Sequence, residues 1–156
     1  MERTNVSPSE ASNTSVFWLT SVKDDAGGDS TSILNQLVKD RKIFAFGETT
    51  RGRLAIKGGD WVCFYAVRRG IVGHAVLTSS VYRLQNPVIR AMGEYPWAVD
   101  LGQISLYLDN PVVIDVDLRK KLDAFKDKPV VGKWSWIVQA THRVSEHDFK
   151  CLTRQM

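Results

Sequence analysis

The sequence predicts a single α+β domain built on a small β-barrel with flanking helices. Three observations carry that expectation. Short apolar and aromatic runs of strand composition recur, as in FWLTSV at 17–22 and IFAFGE at 43–48. The runs WVCFYAV and IVGHAVL flank Arg68-Arg69-Gly70 at the spacing of an antiparallel hairpin. Helical periodicity, by contrast, is confined to three short segments. A chain of 156 residues that is 44% hydrophobic can bury one core of its own and is too short for two ordinary domains.

Taken in order, residues 1–15 (MERTNVSPSEASNTS) are polar and lack an apolar run, which predicts a flexible tail ahead of a domain over 16–156. VFWLTSV reads as a buried strand ended by the polar cluster KDDAGGDS, in which Asp24 and Asp25 read as solvated loop residues. Asp29 or Ser30 can cap a helix whose Ile33, Leu34, Leu37 and Val38 share one face, with Lys39, Arg41 and Lys42 near its negative end. IFAFGE is a second strand, ETTRGR a polar loop and Gly58-Gly59-Asp60 a turn before the hairpin. From Tyr82 to Asp100, Pro87, Gly93 and Pro96 interrupt any periodicity and predict a long loop or extended crossover before a strand resumes over 98–108. PVVIDV reads as a further strand. DLRKKLDAFKD then offers Asp117 as a cap and Leu118, Leu122 and Phe125 at helical spacing. In KWSWIV, Trp134 and Trp136 would point the same way on a strand and diverge on a helix. Ser145-Glu146-His147-Asp148 has the form of a capping box opening a last helix through Phe149 and Leu152.

Composition narrows the function classes. No stretch approaches the roughly 20 apolar residues that span a bilayer, so no membrane partner is expected. Two cysteines, Cys63 and Cys151, give neither a disulfide framework nor a metal-ligand spacing, which fits a reducing cytoplasm, or the nucleus in a eukaryote. The sequon at Asn13 is then accidental. His74 reads as a satisfied core or barrel-rim residue, and His142 with His147 lacks a third ligand, so no metal or cofactor is expected. Gly58-Gly59 is not followed by Lys-Ser or Lys-Thr, which leaves nucleotide hydrolysis unsupported. The formal charge of +4, from 21 Lys and Arg against 17 Asp and Glu, permits a polyanionic partner without demanding one.

The order of FWLTSV, the helix then KIFAFGE, KGGDWVCFYA through GIVGHAVL, YPWAVDL, and KWSWIV before a closing helix resembles the EVE domain, a member of the PUA-like group that also holds the YTH and ASCH domains. The resemblance spans nearly all of 16–152. It implies a PUA-like mixed β-barrel of five to six strands with flanking helices, and a pocket that, in related domains, holds a modified base between aromatic side chains. Phe44 then stands where YTH domains carry a tryptophan, with Phe46 two residues on, giving a smaller stacking platform. Trp97, with Tyr95 beside it, is the candidate second aromatic. Trp18, Thr20 and Ser21 match the segment lining the pocket floor, where hydroxyls can read a base edge.

The residues themselves allow Trp134 a pocket role, while Trp61, Trp136 and Trp18 read as packing. Two stacking contacts at roughly 1–3 kcal/mol each about balance extrusion of a base, leaving phosphate contacts to supply the rest. Arg51, Arg53, Lys57, Arg68, Arg69, Arg83 and Arg90 are the candidates. The expected function is therefore a nucleic-acid-binding module that captures a modified base in DNA or RNA, beside an effector nuclease or other partner protein. ASCH relatives suggest an alternative, an amidohydrolase on a modified nucleoside with Thr20, Lys23 and Glu48 in the catalytic roles. A protein-interaction module is the third reading.

Overall fold

The computed structural model describes residues 15–23, 29–47, 55–90, 93–139 and 141–154. Among the described residues seven strands form one mixed sheet that curls into a half-barrel: β1 (Phe17–Val22), β2 (Ile43–Phe46), β3 (Trp61–Ala66), β4 (Gly70–Leu77), β5 (Tyr82–Arg90), β6 (Gly93–Leu106) and β7 (Thr141–Val144). Their order is β2-β6-β4-β3-β1-β7, with β5 pairing to β6 off that path, one strand more than the resemblance implies. β1 runs parallel to β3 and the other pairs are antiparallel.

Alternation along β1 and β3 divides the interior into two cores. Trp18 and Val22, with Val62, Phe64 and Ala66, face the barrel interior beside Phe44 and Phe46 of β2. The helix α1 (Ser30–Leu34), continued by a π-helical turn over Asn35–Asp40, closes that core with Ile33, Leu34, Leu37 and Val38, as its periodicity predicts. Its cap is Asp29, whose side chain accepts from Ser32 N at 2.9 Å. The alternate residues Leu19, Cys63 and Tyr65 face a second core, closed by the segment from α2 (Val116–Lys121) onward and by α3 (Glu146–Leu152) through Leu122, Phe125, Phe149 and Leu152.

The hairpin forms as the sequence predicts. Arg68 takes a left-handed φ of 69°, and Gly70 one of 131° where an added Cβ would collide with the Val112 carbonyl oxygen, so that position requires glycine.

Several sequence expectations are corrected. The stretch 82–100 is not a loop: β5 and β6 pair through it, but five steps along β5 from Arg83 to Val88 oppose only two along β6 from Trp97 to Tyr95. Pro87 and Pro96 fall in that irregularity, where the ladder does not need the N–H groups they lack. PVVIDV makes a single bridge, Val112 to Ile71, and ends because Asp115 turns to cap α2. Asp115, not Asp117, is that cap, accepting from Leu118 N at 2.9 Å. α2 stops at Lys121, and Phe125 sits in a separate 3-10 turn, Asp123–Phe125. KWSWIV forms neither regular strand nor α-helix but a 3-10 turn over Ser135–Val138, and Ser145 caps α3 by accepting from Asp148 N at 3.0 Å.

Candidate functional site

β6 lies between β2 and β5 at Trp97, which pairs with Phe46 on one side and Arg83 on the other. Directly paired residues share a sheet face, so the three side chains form a row. Along it exposure rises from the buried Phe46 through the half-buried indole of Trp97 to the exposed Arg83. The Arg83 guanidinium carbon stands 5.2 Å from the Trp97 ring centroid, within cation–π range. Tyr95, two residues before Trp97, falls on the same face of β6 and is also half-buried. Phe44 extends the aromatic surface inward, its ring 5.3 Å from that of Phe46 and 5.2 Å from that of Phe64.

Four of the aromatic residues singled out from the sequence, Phe44, Phe46, Tyr95 and Trp97, are thus brought to one face, though not as equals. Phe44 and Phe46 are 5% and 4% exposed and support the rings above them; only Trp97 and Tyr95 reach the rim. Tyr82, which pairs with Ala98, reaches diagonally across β6 and donates to Asp100 Oδ1 at 2.6 Å. That hydrogen bond, with partial burial, pushes the Tyr82 hydroxyl up to about 12 and keeps it a donor.

Trp18 and Thr20 are interior. The Trp18 indole N–H donates to Asp60 Oδ2 at 3.0 Å, and the Thr20 and Thr141 hydroxyls are 2.7 Å apart across β1 and β7. Ser21, on the other face of β1, donates to the Val138 carbonyl. Trp134 packs against the second core beneath the Arg119 guanidinium, whose carbon is 4.7 Å from its ring centroid. Trp134 and Trp97 therefore belong to different cores and form no shared cage.

The cations are dispersed. Arg69 reaches back to α1, donating to Ser30 Oγ at 2.9 Å and pairing with Asp29 at 3.6 Å. Arg68 is exposed on the same turn, Lys57 is exposed beside Asp60, and Lys23 follows β1. Arg51, Arg53 and Glu48, like the Arg90 side chain and the tail over 1–14, lie outside the described residues.

Two features were missed. Trp136, assigned to packing from sequence, is 37% exposed, its ring 5.0 Å from that of Phe125 and 5.5 Å from Lys128 Nζ. On the tight 3-10 turn it diverges from Trp134, which the spacing alone left open. The second is a potential metal group among the described residues, Asp123, His147 and Asp148, with ligand atoms within 4.8 Å of one another. Its groups already serve the fold: the Asp148 oxygens accept from the Asp123 and Ala124 N–H groups at 2.6 and 3.0 Å, and His147 Nε2 faces the Lys121 carbonyl at 2.8 Å, which requires it to be the donor. His74 is satisfied as expected, with Nδ1 3.0 Å from the Tyr107 hydroxyl.

No family model matches the chain, and no curated protein matches it. Solved structures share its fold. It is similar to a protein from Pseudomonas putida at 15% identity, over 88% of this chain and 97% of that one, with a TM-score of 0.53. A protein from Rhodopseudomonas palustris matches at 20% identity over 89% and 91%, with a TM-score of 0.54. The Mmi1 YTH domain, solved in complex with RNA, matches at 12% identity over 90% and 77%, with a TM-score of 0.55. The chain has a YTH-like fold of the PUA-like kind.

Proposed function

We propose that this domain is an EVE-type nucleic-acid-binding module that captures a modified base on the aromatic face of β2 and β6. The observation carrying the proposal is the row Phe46, Trp97 and Arg83, which sets a half-buried indole against a buried aromatic floor with a cation over its ring. A base stacks on the indole in place of the Arg83 guanidinium while Tyr95 borders it, and the displaced Arg83 with Lys57 supplies phosphate contacts, joined by Arg51, Arg53 and Arg90. The fold shared with a YTH domain solved on RNA supports this reading. Hydrolysis gains no such support, since the Thr20 hydroxyl is buried against Thr141.

Tryptophan fluorescence tests it, using matched single- and double-stranded oligonucleotides bearing cytosine, 5-methylcytosine, 5-hydroxymethylcytosine, adenine or N6-methyladenine at fixed salt. One modified base should bind more tightly than its parent, and Trp97→Ala should erase the preference. Equal and steeply salt-dependent binding of all of them would leave only a nonspecific polyanion surface and sink the proposal.

A further inference from the structure

We propose a second nucleic-acid contact on the α2 and α3 side of the sheet, where Trp136 stacks an unpaired base of a single strand and neighbouring lysines hold its phosphates. Trp136 is one of few large apolar side chains left exposed among the described residues. Phe125 supports its ring from within, and the indole walls an open groove of about 400 Å³ with Ala124, Ile137, His142 and Arg143. Five exposed lysines, Lys120, Lys121, Lys126, Lys128 and Lys133, lie over residues 120–136 around Phe125 and the tryptophan, against two acids, Asp123 and Asp127. The carboxylates in the groove are locally matched: Lys126 is 3.7 Å from Asp123, and Asp148 is held by backbone N–H groups. A phosphate chain complements this charge, and every base offers a flat face to the indole only when it is unstacked, so the partner is single-stranded and its sequence is unread. The groove belongs to the second core and Trp97 to the first, so this contact stands apart from base capture.

The test is the anisotropy of a labelled, unmodified oligothymidine at low salt. Trp136→Ala should weaken binding about five- to hundredfold, as loss of one stacking ring predicts, whereas Trp136→Phe should retain most of it. Lys128→Glu with Lys133→Glu should flatten the dependence of log affinity on log salt by about 1.4, from two lost phosphate contacts. In a Trp97→Ala background, Trp136→Ala should still weaken binding by the same factor, which separates this contact from the base-capture site. Unchanged affinity in a folded Trp136→Ala protein, an unchanged salt slope in the lysine variant, or a duplex bound as tightly as the single strand would overturn the proposal. Concentration-dependent dimerisation lost in Trp136→Ala, without oligothymidine binding, would do the same, assigning the groove to a second copy.

Discussion

The Arg83 guanidinium stands 5.2 Å from the centre of the Trp97 ring, held there by direct pairing across β5 and β6. At an exposed site such a contact is worth about 0.5–1 kcal/mol, too little to decide the fold and enough to bias where a phosphate settles. Arg83→Ala should therefore lower the urea midpoint by only a few tenths of a molar and weaken oligonucleotide binding about two- to fivefold, flattening the salt slope by about 0.7–0.9. The ratio between modified and unmodified bases should persist, because the cation does not read the base. A lost ratio with intact affinity would reassign Arg83 to recognition.

Asp60 is 4% exposed and organises the floor of the barrel. Its carboxylate accepts from Trp18 Nε1 at 3.0 Å, Lys57 N at 3.1 Å and Val16 N at 3.2 Å, joining the start of β1, the turn and the start of β3. Asp60→Ala strands three donors, each costing about 1–3 kcal/mol when left unmatched, so destabilisation of about 3 kcal/mol or more is expected by urea unfolding. Trp18→Phe removes one donor along with its charge-assisted bond, worth about 1.5–3 kcal/mol, and should cost less than the loss of all three. Equal losses in both variants would mean that indole packing, not the carboxylate, holds the floor.

Strands covered on both faces were legible because their apolar runs need no partner to be recognised: β1, β2 and the β3–β4 hairpin lie where their composition places them. The later part of β6 was read as the strand over 98–108, but β5 and the start of β6 were hidden because Pro87 and Pro96 sit in an irregular register, and register belongs to the pairing rather than to either strand. β7 was missed because THRV is four residues long and only half-covered. The same divide runs through the site. Phe44, Phe46, Tyr95 and Trp97 could be named as aromatics at plausible positions, but their order from floor to rim depends on which strand faces which. The exposure of Trp136 follows from a 3-10 turn that two tryptophans two residues apart do not specify.

The Thr20 and Thr141 hydroxyls, 2.7 Å apart and both buried, hold β7 to β1 by a side-chain bond beside the ladder. Replacing either threonine by valine leaves the other hydroxyl buried beside a methyl group, at a cost of about 1–3 kcal/mol. Replacing both removes donor and acceptor together. The double variant should therefore be more stable than the sum of the singles predicts, with a coupling of about 1 kcal/mol in a denaturation cycle. Strict additivity would show that the hydroxyls find other partners and that β7 is held by its backbone alone.

Two half-buried histidines give stability a pH dependence of defined sign. Burial lowers the pKa of His74 from its ordinary 6.5, and does the same to His142 against a raising contribution from the Gln139 backbone. A lowered folded value means that the unfolded chain binds the proton first. Their contribution is thus fully present above pH 6.5, declines as pH falls below it and levels off below the folded values. Asp148 acts in the opposite sense at more acidic pH: burial raises its pKa from 3.8, so protonation there favours the folded state and offsets part of the loss. Urea midpoints should fall from pH 7.5 to pH 5.5, and His74→Gln with His142→Gln should flatten that slope even where the variant is less stable throughout. An undiminished slope in the double variant would move the linkage to groups other than these two imidazoles.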